Sequence, residues 1–190
     1  MKVQSGGGSG RTTPEFILRV GQRVRSLRRQ RNWTVQQLAD QADLSRRMLT
    51  QIELGQANPS LVTIDRIAAA LGTDFAGLAL PESPGDAPAS VQVWRGEGSS
   101  EALLLAATTP ADTELWRWTL APGARYDAQP DKAGAQEIHH VIAGELALVT
   151  REASRTLVAG DTTVIFSDQP YSYVNPGETD VVFFRVVSGA

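Results

Sequence analysis

The sequence predicts two domains of different class, an all-helical unit followed by an all-β unit. Three observations carry this prediction. Between Phe16 and Leu80 apolar residues recur at three- and four-residue spacing, in short segments broken by polar turn residues. Pro81 to Ser90, PESPGDAPAS, is rich in Pro, Gly and small residues and holds no apolar anchor. Beyond it, short segments rich in Val, Thr, Leu and aromatics alternate with turn signals, which is the pattern of strands. A chain of 190 residues is long enough for two small domains, each with its own core.

In chain order, the Gly/Ser tract Gly6 to Gly10 predicts a disordered tail over residues 1–13. The helical domain then spans 14–80. Phe16, Val20, Val24 and Leu27 mark a first helix, Val35, Leu38 and Ala42 a second, and Met48, Leu49 and Ile52 a third, all three turned to the core. Leu61, Ile64, Ile67, Ala68 and Leu71 mark a fourth helix, and Phe75 to Leu80 a short fifth. Thr34, Ser45 and Ser60 are N-caps for the second, third and fourth, because a side-chain oxygen there satisfies an orphan amide; Gly55 and Gly72 sit where helices end. Residues 81–90 read as a linker. In the β domain, 91–190, strands are expected at 91–96, 102–108, 113–120, 137–142, 145–151, 155–158, 162–167, 170–175 and 180–187, a density that argues for a sandwich or small barrel.

The chain is 42% hydrophobic and 21% charged, with no run of eighteen apolar residues, so a membrane-spanning or disordered protein is not expected. Its N-terminus lacks the apolar core of a signal peptide, and together with the absence of cysteine this predicts a cytoplasmic protein. The net charge of -3 conceals an asymmetry. Residues 1–80 carry eleven Lys/Arg against six Asp/Glu, a net +5, and residues 81–190 seven against fifteen, a net -8. A basic first half fits a polyanionic partner.

Within that half, TVQQLADQADLSRRMLTQIELGQANPSLVTIDRIAAALG places a nine-residue helix, a turn at Ala42-Asp43-Leu44 and a second helix starting at Ser45, the dimensions of a helix-turn-helix. Thr34 with Leu38-Ala39, the Ser45 cap, Gln51-Ile52-Glu53 before Gly55, Asn58-Pro59-Ser60, Ile67-Ala68 and Leu71-Gly72 follow in order, and residues 18–80 resemble the five-helix DNA-binding domain of lambda-repressor and XRE-type regulators. A helix entering the major groove N-terminus first would present Arg46, Arg47, Thr50 and Gln51 to base edges and phosphates, with Ser45 at its start. Backbone amides near Thr34 and Gln36 would sit on a phosphate, and Asn58 completes the expected DNA-facing set. The position after the cap, often glutamine in the family that the segment resembles, is Val35, which leaves Gln36 or Gln37 as substitutes; Arg28, Arg29 and Arg31 are candidates for further phosphate contacts.

In the second half, Pro122-Gly123, Glu137, Gly144, Gly160-Asp161 and Asn175 form an ordered series that resembles the cupin family of double-stranded β-helix barrels. The resemblance implies a central cavity. Many cupins hold a divalent metal there; on this chain the motif's glutamate falls on Glu137, its first histidine positions fall in Asp131-Lys132-Ala133, and its last histidine falls on Tyr171. Strand parity gives a different grouping. Glu137 and His139 share one face and His140 the other, Tyr171, Tyr173 and Asn175 share a face, and Trp116, Trp118 and Leu120 form an apolar one.

Trp116, Asp131, Glu137, His139, Tyr171 and Tyr173 are therefore the expected lining of a pocket for a small-molecule effector. A metal held by Asp131, Glu137 and His139, and a purely structural Glu137–His139 pair, are the competing readings, and no cofactor is assigned. The functional expectation is a sequence-specific regulator, not an enzyme, that binds a double-stranded operator as a homodimer on half-sites roughly 34 Å apart, with the barrels as the pairing platform. The alternative is a metal-dependent cupin enzyme, a dioxygenase or isomerase, tethered to a DNA-binding domain.

Overall fold

The computed structural model describes residues 11–80, 90–108 and 113–188. They fall into two compact units, one helical and one built of strands, with the change of class near residue 91. The expected linker lies outside the described residues apart from Ser90, as do residues 1–10 of the expected tail. Its last residues take up defined structure: Arg11–Thr12 form a short strand (β1), and Thr13 accepts a hydrogen bond from the Phe16 amide at 3.3 Å.

Five helices follow: α1 Pro14–Gln30, α2 Val35–Gln41, α3 Arg46–Glu53, α4 Leu61–Ala70 and α5 Phe75–Ala79. Each predicted cap is in place. Thr34 Oγ1 accepts from the Gln37 amide (3.2 Å) while Gln37 Oε1 accepts from the Thr34 amide (2.8 Å), a reciprocal capping box. Ser45 and Ser60 accept from the Met48 and Thr63 amides, both at 3.1 Å. Gly55 and Gly72 take the left-handed conformation one residue past the C-caps Leu54 and Leu71 of α3 and α4. The core joins Phe16, Val20, Val24, Leu38, Leu49, Ile52, Ile64 and Ile67, all fully or almost fully buried. Met48 is a correction: it is 37% exposed, because the inward stripe of α3 runs through Leu49, Ile52 and Glu53 and Met48 lies a rotation of one residue off it.

Two devices hold α3 against α1. Arg28 of α1, also expected to be a phosphate contact, is instead buried. Its Nε and Nη2 donate to the Glu53 carboxylate at 2.6 and 2.9 Å and its Nη1 donates to the Trp33 carbonyl at 2.7 Å. Side-chain hydrogen bonding to Glu53 holds the guanidinium above its ordinary pKa. Arg31 likewise turns inward at its tip, donating to the Leu71 carbonyl at the end of α4. The second device is Gly21, where a Cβ would stand 2.2 Å from the Ile52 carbonyl oxygen.

The β unit comprises β2 Val91–Arg95, β3 Glu101–Thr108, β4 Thr113–Leu120, β5 Arg125–Ala128, β6 Gln136–Ala143, β7 Glu145–Thr150, β8 Ser154–Val158, β9 Thr162–Phe166, β10 Tyr171–Val174 and β11 Val181–Ser188. Nine of these were expected and β5 was not: RYDA is four residues long and lacks apolar alternation. One antiparallel sheet carries β2-β3-β4-β11-β6-β9 in that order and the other β5-β10-β7-β8. Aromatic contacts bridge their inner faces, Trp118 to Tyr126 at 4.6 Å and Tyr173 to Phe183 at 5.2 Å between ring centroids.

Gly21→Ala is expected to destabilise the helical unit by about 1–3 kcal/mol or more, because backbone on both sides leaves nowhere for the methyl to go. A helical far-ultraviolet melting curve unchanged by the substitution would contradict this account of α1 against α3.

Candidate functional site

In the helical unit, the turn between α2 and α3 is closed by Asp43 in the left-handed conformation (φ 50°) and by the Leu44 amide donating to the Ala39 carbonyl at 2.8 Å. Arg66 of α4 clamps the same turn through the Asp43 carboxylate at 2.6 Å. The helix that follows begins at the surface. Arg46 and Arg47 are exposed, and among the described residues neither guanidinium has a hydrogen bond or an ion pair. Thr50, half-buried, returns its hydroxyl to the Arg46 carbonyl at 2.8 Å, and Gln51 is half-buried beside it. Thr34, Gln36, Ser45 and Asn58 are all exposed. Gln36 Nε2 donates to Asp40 at 2.7 Å and Asn58 Oδ1 accepts from Thr12 at 2.6 Å. Of the two glutamines expected to stand in after the cap, Gln37 is engaged by the capping box and Gln36 by Asp40.

In the β unit, the inner face of the larger sheet is a lattice fixed by register. Arg185 lies between Trp116 on β4 and His139 on β6, and Val187 between Glu114 and Glu137. Glu137 is fully buried, and donors enclose its carboxylate. Oε1 accepts from the Tyr171 hydroxyl (2.6 Å), from Arg185 Nε (2.5 Å) and from Arg185 Nη2. Oε2 accepts from the Tyr173 hydroxyl at 2.7 Å, and His139 Nε2 lies 3.0 Å away. Because Tyr173 gives its proton to Glu137, His139 Nε2, 3.1 Å from the same hydroxyl, carries a proton of its own.

Burial alone would raise the Glu137 pKa, but the charge of Arg185 and the His139 hydrogen bond outweigh it and hold the carboxyl well below the usual range. Burial pushes the Tyr171 and Tyr173 hydroxyls up, with Glu137 adding in the same direction, so both remain protonated donors. Arg185 is the residue that sequence reasoning missed. Its signal was present: in VVFFRVVS it shares parity with Val181, Phe183 and Val187, and a charge on a strand's buried face needs an opposite charge opposite it.

The structure brings together all six residues expected to line a pocket, but around Arg185. Trp116 lies under the guanidinium, 5.7 Å from ring to charge, and Asp131 Oδ2 lies 3.7 Å from Nη2. Asn175 faces inward as parity required and is spent on the fold, donating to the Leu120 and Thr179 carbonyls at 2.8 Å each. His140 lies on the outer face with its Nδ1 2.9 Å from the Thr162 hydroxyl.

The residues present do not fit the metal that many cupins hold. The Glu137 lone pairs are taken by Arg185, His139 and two tyrosines, and Tyr171 stands as a donor at the last histidine's position. Among the described residues no three His, Asp or Glu converge as a metal-binding group, so the grouping of Asp131, Glu137 and His139 as ligands does not form. Among the described residues five buried side-chain polar atoms have no hydrogen-bond partner: Asp131 Oδ2, Ser167 Oγ, His139 Nδ1, Trp118 Nε1 and Thr119 Oγ1.

A reading helix on a five-helix unit and a charge-filled two-sheet barrel define a class, the helix-turn-helix transcription regulators with a cupin domain. The chain carries both of these domains: residues 24–78 match the helix-turn-helix family model and residues 116–187 the cupin domain model. It is 29% identical over 168 residues to the HTH-type transcriptional regulator SutR of Escherichia coli (strain K12), covering 86% of this chain and 91% of that one. Over 59 residues, 31% of this chain and 41% of the relative, it is 44% identical to an immunity repressor protein of Bacillus phage phi105. A crystal structure of an HTH_3 family transcriptional regulator from Vibrio cholerae shares the fold, with a TM-score of 0.67 at 23% identity over 93% of this chain and 98% of that one. Among the described residues no helix is long and apolar enough to cross a membrane.

Two outcomes are expected of the network. Glu137→Gln leaves Arg185 buried without its counter-charge and should cost the β unit about 3–5 kcal/mol. Because Glu137 has a depressed folded pKa, its stabilisation is complete above the unfolded value of about 4.3 and is lost as pH falls below it. Asp131, raised first by burial, acts oppositely, adding stability below its unfolded pKa and losing it as pH rises through the folded one. Near-ultraviolet melts should therefore show an acid limb that flattens in Glu137→Gln; an identical limb in both proteins would remove Glu137 from its cause.

Proposed function

We propose that this chain is a sequence-specific, DNA-binding transcription regulator whose cupin barrel binds a small-molecule effector and thereby modulates operator affinity. The observation that carries the DNA half is the pair Arg46 and Arg47, exposed at the start of α3 with no partner in the described protein. Arginine forks match guanine O6 and N7, and Thr50 and Gln51 lie one turn further along the same helix. At the capped start of α2 the Thr34 amide is held by Gln37, so a phosphate there would be met by a first-turn amide such as that of Gln36, with Ser45 and Asn58 at the rim of the same surface. The protein acts in the cytoplasm as a homodimer, because two such helices on a two-fold axis read successive major grooves.

The effector half rests on the barrel's unpartnered polar atoms. Asp131, partly exposed beside a buried guanidinium, retains an oxygen without a donor, and Ser167 lies against it with its amide bonded to the Ala135 carbonyl. An effector with a hydrogen-bond donor would engage Asp131, with Trp116, Glu137, His139, Tyr171 and Tyr173 as the wall that holds Arg185 in place. Regulation then equals the difference in effector affinity between the DNA-competent and DNA-incompetent states.

Arg47→Ala should weaken binding to an operator selected from random DNA by about 1–3 kcal/mol and relax preference at one base position. Unchanged affinity in a mobility-shift titration would strike Arg47 from the reading set. Compounds that raise the barrel's melting temperature should shift operator affinity in the same protein, and Asp131→Asn should blunt both effects. If no stabilising compound alters DNA binding, the sensing half of the proposal fails.

A further inference from the structure

The outer face of the larger sheet carries a feature that neither DNA reading nor effector binding uses. Ile138 and Ile142 on β6, Val158 on β8, and Val164 and Phe166 on β9 are all between 45% and 56% exposed, and they are the large exposed hydrophobics of the β unit among the described residues. Register joins three of them across β9, β6 and β11: Ile138 pairs with Val164 and Val186, Gln136 with Phe166 and Ser188, and His140 with Phe184. The outward positions between them are Gln136, His140, Thr162 and Val182, so the β6, β9 and β11 part of this face bears no Asp, Glu, Lys or Arg, and exposed Arg117 on β4, paired with Phe184, bounds it. Three strands about 4.8 Å apart, of eight, five and eight residues at about 3.3 Å each, present a face of about 330 Å², a size at which an exposed apolar patch is often functional. At its margin β9 ends the sheet, and its sequence TTVIF has none of the charges or prolines that protect an edge.

We infer that the outer face of β6, β9 and β11 is the surface through which two copies of this chain pair, an inference that rests on the proposal that the protein works as a homodimer. The choice of a second copy follows from charge. Residues 81–190 carry a net -8, so two β units repel each other over most of their surfaces. They meet without that repulsion on a face that has no charge. Such a face is self-complementary, as a two-fold interface requires, since each residue meets the same apolar surface that it presents. A basic partner would instead be drawn to the acidic remainder and gain nothing here. His140, with its Nδ1 directed at Thr162, offers the one titratable group in the patch, and no charged side chain of β6, β9 or β11 faces it on this side.

Sedimentation velocity on the full chain, without DNA or effector, tests the inference. The wild-type protein should be a dimer at micromolar concentration. Phe166→Glu and, separately, Val164→Lys should each raise the dimer dissociation constant at least about 100-fold, since each buries two charges per dimer in an apolar seam. Thr156→Glu, exposed on β8 in the other sheet, should leave it unchanged. Because the chain has no cysteine, Ile138→Cys supplies a second readout: its thiol should be labelled slowly by a maleimide in the dimer and rapidly with Phe166→Glu. A monomeric wild type, a dimer that withstands both charged variants, or a dimer equally weakened by Thr156→Glu would overturn the inference. A dimer dissolved only by the patch variants, in a protein that binds no selected operator, would uphold this surface while removing the regulator reading.

Discussion

A carboxylate taken wholly out of water must be surrounded by donors, and the β unit is organised around meeting that requirement for Glu137. Four strands contribute to the solution. β6 supplies the carboxylate and His139, β10 supplies Tyr171 and Tyr173, β11 supplies Arg185, and β4 places Trp116 beneath the guanidinium. Each donor is itself constrained, because burial and the nearby negative charge keep the tyrosines protonated and Glu137 keeps Arg185 charged despite its burial. The result locks the two sheets in register. A one-residue slip of β11 would turn Arg185 outward and bring Phe184 or Val186 against a buried charge.

The same solution sets what the barrel can recognise. In a metal-binding barrel the central cation is exchangeable; here the central cation is covalently part of β11. Under the proposed effector reading, affinity would come from groups left over after the internal network is complete, and these are few. Asp131 and Ser167 lie at one end of the network and His139 Nδ1 and Trp118 Nε1 within it. The helical unit uses a related device at smaller scale, since the Arg28–Glu53 pair ties the end of α3 to α1 and removes one arginine from those available to phosphate.

Much of this was legible in the sequence because local rules and packing agreed. Thr34, Ser45 and Ser60 could be read as caps, and Gly55 and Gly72 as stops, since each satisfies a backbone demand that arises within four residues. The parity of Glu137, His139 and His140 was legible for the same reason. What depended on distant partners was not. Nothing near Arg28 in the sequence announces Glu53, 25 positions away, so it read as one of a basic cluster. Arg185 is 48 positions from Glu137 and lay beyond the motif that drew attention to the glutamate, although its parity on an apolar strand was a usable clue. Met48 was misplaced because a helical stripe drawn from three apolar residues does not say which of them lies at its edge. β5 escaped notice because pairing with β10, rather than its own composition, makes it a strand.

The contact at Gly21 has a bearing on how such a protein can change. Where α3 meets α1, backbone rests on backbone, so the placement of α3 owes little to the side chains on its outward face. Arg46, Arg47, Thr50 and Gln51 can then be exchanged for other residues without moving the axis that carries them. With α3 reading the operator as proposed, recognition and foldability are nearly independent coordinates, and a lineage of such chains can drift from one operator to another along the first while standing still on the second.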